Sequence, residues 1–154
     1  MGFLVREIHR MQSRLLQDEL RSDAISGGGW YFLRVLWDED GLTQRALSLR
    51  IGVNEATTRT AVDRLEAEKL AVRVQDPNDR RKWIIRLTPR ARALQSKLMA
   101  FAIGLNDRAM AGLSASQRGE LISHLQLVYR NLEALSPGPD RRRKAEVVDD
   151  AIAS

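Results

Sequence analysis

Apolar residues recur every three or four positions through the first part of the chain, which is the spacing of one face of an α-helix. This stripe predicts a first helix over about residues 3–22. The glycine run at 27–29 interrupts the pattern, and a second helix is expected from Trp30 to the acidic turn at 38–41. The chain therefore begins with two helices separated by a glycine turn.

A pair of short helices follows. Thr43 is placed to cap a helix that runs to about residue 50, Gly52 supplies a turn, and Asn54 caps the next helix. Inward positions of that second helix fall near helical spacing, at Thr58, Ala61, Val62, Leu65 and Leu70. Two short helices joined by a three-residue turn with a glycine indicate a helix-turn-helix.

The period then changes from helical to alternating. Residues 72–75 and 83–87 are typical of β-strands, and the turn residues at 76–79 lie between them. The predicted β-hairpin carries three basic residues at its tip, at 80–82. A hairpin directly after a helix-turn-helix makes a winged helix.

Thr88 followed by Pro89 is typical of a helix start and predicts a long helix with Leu94, Leu98, Phe101 and Leu105 facing inward. A last helix is expected from about Ser116 to Leu135, with Leu121, Leu125, Val128 and Leu132 inward. The predicted fold is mainly α with a small β-hairpin wing. Its expected regions are N-terminal helices (1–41), a winged helix-turn-helix (42–92), C-terminal helices (93–135) and a mobile tail (136–154) with a basic run at 141–144.

Charge is concentrated in one of these regions. Residues 42–92 contain 12 Lys and Arg against 6 Asp and Glu, a net charge of +6, whereas the rest of the chain sums to −1. A positive charge confined to one segment is typical of a domain that docks on a polyanion.

Composition narrows the class of protein further. The chain of 154 residues has no cysteine, which excludes disulfides, Cys-ligated zinc and thiol-based sensing. No secretion signal and no apolar stretch of membrane length occur, so a cytoplasmic protein without a membrane partner is expected. Its two histidines, His9 and His124, are far apart and no phosphate-binding loop is present. We therefore expect no catalytic residue, no metal site, no cofactor and no enzymatic activity.

Residues 42–94 resemble the MarR family of bacterial winged-helix transcriptional regulators. The matching segments are GLTQRALSLRIGVNEAT, TAVDRLEAEKLAVR, DPNDRRKW and IIRLTPRARAL. The specific part is the wing string Asp-Pro-x-Asp-Arg-Arg followed by a strand and Leu-Thr-Pro. The flanking helices extend the resemblance to about residues 5–135. Two positions depart from the family, which usually has glycine where this chain has Lys69 and Ala91, and Lys69 is expected to alter the turn after the recognition helix.

The resemblance implies binding to double-stranded DNA, with the second helix of the pair in the major groove. An α-helix fits that groove and its outward side chains reach base edges. Arg59 suits a bidentate contact with guanine, whereas Thr57 and Thr60 suit phosphate or a thymine methyl group. The predicted contacts are Thr43, Asn54, Glu55, Ala56, Thr57, Arg59, Thr60, Arg64, Asp79, Arg80, Arg81 and Lys82. Asp63 and Arg64 are expected to make structural or backbone-positioning contacts. The alternative for the whole outward face is an ordinary solvated helix surface.

Arg81, at the wing tip, resembles the arginine that the family inserts into the minor groove, held by an ion pair to Asp79. The negative potential of a narrow minor groove attracts such a side chain. Arg80 and Lys82 then suit the flanking phosphates. The alternative is a basic turn that only improves solubility.

The resemblance also implies a homodimer built from the first helix and the last two. Apolar residues suited to that interface are Phe3, Leu4, Ile8, Leu121, Leu125 and Leu132. A two-fold dimer matches a pseudo-palindromic operator with half-sites one turn apart. The same residues also suit the core of a monomer.

Small aromatic ligands commonly release relatives from DNA, so an effector such as an aromatic carboxylate, a phenol or an aryl-CoA thioester is expected. The predicted site combines aromatic residues of the second helix with polar residues of the first: Trp30, Tyr31, Phe32 and Trp37 with His9, Arg10 and Arg14. The competing interpretation assigns the aromatic residues to the core. For the whole protein, the expected function is a ligand-responsive repressor, and the alternative is a winged helix for protein contact or non-specific nucleic-acid packaging.

Overall fold

Six helices and three short strands make up the computed structural model of the protein, which describes residues 1–135. The helices are α1 (Gly2–Ser22), α2 (Trp30–Asp38), α3 (Gln44–Ile51), α4 (Glu55–Ala67), α5 (Pro89–Ala109) and α6 (Ala115–Leu135), and a 3₁₀ turn spans Gly27–Gly29. The strands are β1 (Leu42–Thr43), β2 (Ala71–Gln75) and β3 (Trp83–Leu87). The predicted tail and its basic run lie outside the described residues. No helix in the described part is long and apolar enough to cross a membrane.

The predicted fold class is confirmed, and one strand is added to it. All three strands pair antiparallel in the order β1-β3-β2, with Leu42 opposite Ile85 and Gln75 opposite Trp83. Sequence reasoning missed β1 because it has only two residues and because Thr43 carries the stronger signal of a helix cap.

Contacts within the chain divide it into two compact units, residues 1–105 and a second that starts at Asn106. The first unit has one hydrophobic core. Leucines with no exposed surface enter it from five helices: Leu20 of α1, Leu33 of α2, Leu47 of α3, Leu65 of α4 and Leu98 of α5. The N-terminal helices, the winged helix and the start of α5 are therefore packed around shared residues, although their predicted roles differ.

The helix-turn-helix is held by the caps that the sequence predicts. The Thr43 side chain accepts a hydrogen bond from the Ala46 amide at 3.1 Å, and that of Asn54 accepts one from the Thr57 amide at 2.7 Å. Between the helices, Gly52 has φ +76°, a conformation that favours glycine.

The turn after α4 keeps a left-handed backbone conformation at Lys69. This lysine has φ +57°, in the left-handed region where the family usually has glycine. The Leu70 amide donates to the Leu65 carbonyl at 2.8 Å and the Lys69 amide to the Glu66 carbonyl at 3.0 Å. These are the two hydrogen bonds of a Schellman motif. The expectation of an altered turn is wrong, because the lysine backbone adopts the glycine conformation.

Charged side chains join α1, α4 and α5 at one end of the core. The Arg90 guanidinium donates to the carbonyl of Asp23 at 2.6 Å and to that of Glu68. Lys97 donates to the Asp23 carboxylate at 2.7 Å, and this hydrogen bond raises the pKa of Lys97 above its ordinary value. Arg90 of α5 thus caps the C-terminal ends of both α1 and α4.

The terminal helices carry exposed apolar residues. In α6 no residue is buried, and Leu121, Leu125 and Leu132 are between 41% and 57% exposed. In α1 the side chains of Phe3 and Leu4 are 70% and 62% exposed. The inward orientation predicted for α6 is therefore wrong for the single chain, because none of its residues is buried among residues 1–135.

Candidate nucleic-acid interface and effector pocket

Helix α4 has one buried face and one exposed face. Thr58, Val62 and Leu65 are fully buried in the first unit. The opposite face exposes Glu55, Ala56, Thr57, Arg59 and Thr60 to solvent. Within residues 1–135 Arg59 has no ion pair, so its guanidinium is available to a ligand. This division places the predicted base-reading residues on one accessible surface.

The remaining polar groups of the helix-turn-helix are already engaged. The side chains of Thr43 and Asn54 cap their helices, and the Thr60 hydroxyl donates to the Ala56 carbonyl at 3.2 Å. Gln44 donates to the Glu55 carbonyl at 3.4 Å and so joins the start of α3 to the start of α4. The caps and the Gln44 contact fix the start of α4 relative to α3, and the Thr60 hydroxyl is hydrogen-bonded within its own helix.

Arg73 of β2 ties the recognition helix to the wing. Its guanidinium lies 2.7 Å from the Asp63 carboxylate and also contacts Glu66. Its amide donates to Glu66 at 2.8 Å. Asp63 therefore has the positioning role expected of it, and the ion pairs determine how the wing is oriented relative to α4.

Asp79 organises the tip of the wing mainly through the backbone. Its carboxylate accepts a hydrogen bond from the Arg81 amide at 3.1 Å, whereas the ion pair to the Arg81 Nε is longer, at 3.8 Å. Lys82 Nζ lies 3.4 Å from the same carboxylate. The Arg81 side chain is 96% exposed. The predicted ion pair is present, and the arginine projects into solvent from an ordered turn.

Arg64 occupies a different side of α4 from Arg59. A side chain added at Gly28 would come within 4.0 Å of the Arg64 guanidinium, so this arginine lies beside the glycine turn. The predicted contact of Arg64 with DNA stays a prediction.

A cavity of about 570 Å³ lies between α1, the glycine turn and the start of α2. It is lined by Arg6, His9, Arg10, Ser13, Arg14, Leu16, Gln17, Gly27, Gly28 and Tyr31. Four residues of the predicted effector site are thus brought together: His9, Arg10, Arg14 and Tyr31. Sequence reasoning missed the others, although Arg6 and Ser13 lie three or four positions from predicted residues on the same helix and share their face.

The other three predicted effector residues belong to the core. Trp30 is 4% exposed and Phe32 is 5% exposed. The Trp37 ring meets that of Trp30 edge to face at 5.8 Å, and its indole N–H donates to the Ala91 carbonyl at 3.0 Å. Their assignment to the pocket is wrong because α2 turns them towards the core. Of the four aromatic residues predicted for the pocket, Tyr31 alone faces outward.

The cavity has a basic lining. Arg6 and Arg10 both pair with Glu7, at 3.6 Å and 2.8 Å. Arg14 has no ion pair among the described residues. Three arginines around one carboxylate leave a positive excess, and the Tyr31 ring adds an aromatic surface. The arrangement can bind a small aromatic anion.

The glycine turn connects this cavity to the recognition helix. Gly27 and Gly28 line the cavity, and a Cβ at Gly29 would lie 2.9 Å from a methyl group of Leu65 in α4. The Ser26 amide donates to the Glu68 carboxylate at 3.0 Å, at the other end of the same turn. The second oxygen of Glu68 is buried without a hydrogen-bond partner in the described part of the chain. The turn is therefore packed directly on α4.

Comparison with known proteins agrees with this architecture. A family model described as MarR family matches residues 26–82. The chain is 29% identical to the HTH-type transcriptional repressor NicR of Pseudomonas putida over 133 residues, 86% of this chain and 82% of the relative.

Solved structures show the same fold. The Bordetella bronchiseptica regulator BpsR, whose DNA binding is regulated by 6-hydroxynicotinic acid, is 26% identical with a TM-score of 0.71 over 83% of this chain and 97% of BpsR. A MarR regulator from Methanosarcina mazei superposes with a TM-score of 0.78 at 24% identity over 88% of this chain and 97% of that one. The chain is thus similar to MarR-family winged helix-turn-helix transcriptional regulators in its central segment and in its fold.

Proposed function

We propose that this regulator is a repressor that binds a pseudo-palindromic operator as a homodimer and is released by a small aromatic anion. The observation that carries the proposal is the pairing of an exposed α4 face, whose Arg59 has no ion pair in the described chain, with a fully exposed arginine on an ordered wing tip. The two surfaces suit adjacent grooves of one duplex.

In the proposed complex α4 enters the major groove and the wing enters the neighbouring minor groove. Arg59 contacts guanine, and Thr57 and Thr60 meet phosphate or a thymine methyl group. Arg81 enters the minor groove, and Arg80 and Lys82 contact the flanking phosphates. The net charge of +6 in residues 42–92 supplies the long-range attraction.

The exposed apolar residues of the terminal helices support the homodimer. Exposed leucines and a phenylalanine are costly in water, and a second copy is the natural partner for the stripes on α1 and α6. A dimer also presents two recognition helices to the two half-sites of an operator. We include repression because NicR, a relative that aligns with 86% of this chain, is a transcriptional repressor.

The cavity lined by Arg6, Arg10, Arg14 and Tyr31 supports an aromatic carboxylate or phenolate as the effector. An arginine pairs with the anionic group, and the tyrosine ring packs against the aromatic ring. That BpsR responds to 6-hydroxynicotinic acid favours this ligand class. We infer that an occupant displaces the glycine turn, and with it α4, through the contacts of Gly29 with Leu65 and of Ser26 with Glu68.

The test begins with a footprint on DNA flanking the gene of this protein. The purified chain is expected to protect two half-sites about one helical turn apart and to bind that duplex roughly a thousandfold more tightly than random sequence. Equal affinity for both duplexes would instead support non-specific packaging. No binding to either would favour a role in protein contact.

Effectors are then added to the bound complex: 6-hydroxynicotinic acid, benzoate, salicylate and an aryl-CoA thioester. We expect at least one aromatic anion to release the DNA, and Arg14→Gln to weaken that response about tenfold by removing the unpaired guanidinium. Arg21→Gln is the matched control, because Arg21 is on the same helix, pairs with Asp18 and is outside the cavity. If none of these ligands releases the DNA, or if both variants respond alike, the effector site is elsewhere.

A further inference from the structure

One large aromatic side chain of the wing lies outside the hydrophobic core. Trp83, the first residue of β3, is 56% exposed, whereas the other tryptophans of the chain, Trp30 and Trp37, pack in the core. Its indole N–H has no acceptor among residues 1–135. An exposed indole is costly in water and is typical of a contact surface.

The register of the sheet shows which face carries Trp83. Trp83 lies opposite Gln75, and Ile85 lies opposite Arg73. Side chains of directly opposite residues share a face, and alternate residues of a strand do the same. Trp83 is therefore on the same face as Arg73, whose guanidinium contacts Asp63 of α4. This is the face that the recognition helix covers.

The cover provided by α4 ends before it reaches Trp83. Ile85 is 1% exposed on this face, and two residues nearer the wing tip Trp83 is more than half exposed. Arg81 and Lys82 directly precede Trp83 in the chain and lie in the turn at the wing tip. The indole thus occupies the surface between the recognition helix and the basic tip of the wing.

A helix in the major groove and a wing in the adjacent minor groove must straddle the sugar–phosphate strand that separates the two grooves. We propose that Trp83 contacts this strand, its ring against deoxyribose and its N–H donating to a phosphate oxygen. The basic residues on either side, Arg59 and Arg81, complement the negative charge of that strand. This inference rests on the proposed DNA-binding surface. It adds a contact with the sugar–phosphate backbone, which does not distinguish one base from another.

The chemistry predicts how the contact behaves. A contact with the backbone carries no sequence information, so its loss weakens binding to every duplex by the same factor. We expect Trp83→Ala to weaken binding about tenfold to both the footprinted fragment and a random duplex of equal length. Trp83→Phe keeps an aromatic ring, removes the N–H donor and is expected to lose less affinity.

The matched control is Val74→Ala, an exposed residue of β2 on the opposite face of the sheet. Each variant is checked for folding by thermal unfolding and for oligomeric state by light scattering. Titration at fixed salt then measures the affinity for both duplexes. Intrinsic fluorescence supplies a second measurement, since Trp83 is the exposed indole and its emission should change when DNA is added to the wild type but not to Trp83→Phe.

Two results would overturn the inference and leave DNA binding intact. One is an unchanged affinity of Trp83→Ala, within twofold of Val74→Ala, while the wild type binds tightly. The other is a monomeric Trp83→Ala, which would assign the indole to a contact between two copies of the chain. A wild type that binds neither duplex would reject the proposed DNA-binding surface itself, and the tryptophan contact with it.

Discussion

The winged helix and the terminal helices use their apolar residues in different ways. In the first unit Leu33, Leu65 and Leu98 have no exposed surface and belong to one core. In α6 no residue is buried, and Leu125 and Leu132 are 49% and 57% exposed. The winged helix is thus stabilised within one chain, whereas the apolar stripes on the terminal helices stay exposed in the described part of the chain and are covered by a second copy in the homodimer that we propose.

This difference separates two functions in the molecule. A rigid module with satisfied caps and a packed core can present Arg59 and Arg81 in a fixed geometry. In the proposed homodimer, the terminal helices instead contact a second copy and determine the spacing of the two modules, and hence of the two half-sites. The exposed stripes are therefore part of the DNA-binding mechanism that we propose.

The largest effect is expected in the core. Leu65→Ala removes a fully buried side chain that packs against Gly29 and should lower the free energy of unfolding by about 2–5 kcal/mol. Denaturant unfolding at several protein concentrations measures it. Leu132→Ala is the comparison: its cost should be small in a dilute monomer and should grow with concentration if a second copy covers that leucine. Equal losses for both variants at every concentration would contradict the difference between the two regions.

The next effect concerns the α6 stripe. Leu125→Glu places a charge within this stripe. We expect the dissociation constant of the dimer to rise by about tenfold or more, and the variant to protect the two half-sites of the operator no longer as a pair. Light scattering and ultracentrifugation measure the mass. His124→Glu adds the same charge at the neighbouring exposed position and should leave the mass unchanged. A wild-type monomer at micromolar concentration would disprove the homodimer.

A smaller effect is expected at the wing tip. Arg81→Ala should weaken operator binding by about 1–3 kcal/mol, since it removes one specific groove contact. Its thermal stability should match the wild type, because the side chain is 96% exposed and its ion pair to Asp79 is long. A salt-controlled titration with unchanged affinity would remove Arg81 from the interface.

The smallest effect concerns backbone conformation. Lys69→Gly should stabilise the protein by up to about 1 kcal/mol, because glycine adopts φ +57° without the steric cost that lysine bears there. Ala67→Gly, at the last residue of α4, should instead destabilise it by about 0.5–1 kcal/mol. Thermal unfolding of both variants checks the two signs. Destabilisation by Lys69→Gly would show that the lysine side chain stabilises this turn.

Local sequence signals predicted most of the fold and part of the candidate site. Thr43, Asn54 and Gly52 mark the helix-turn-helix because caps and left-handed turns depend on single residue types. The pocket was predicted less well. A run of aromatic residues does not reveal which of its members face the core, so Tyr31 was grouped with Trp30, although the two lie on different faces of α2.

By itself the sequence determined the order of the elements, the basic segment, the wing motif and the absence of cysteine, because each depends on residue type and local spacing. Tertiary structure alone decided the rest. It turned Trp30, Phe32 and Trp37 inward, brought α1 and the glycine turn together around a basic cavity, and left Trp83 exposed between α4 and the wing tip. These outcomes depend on which faces pack together, and packing between distant segments is not specified by the pattern of any one of them.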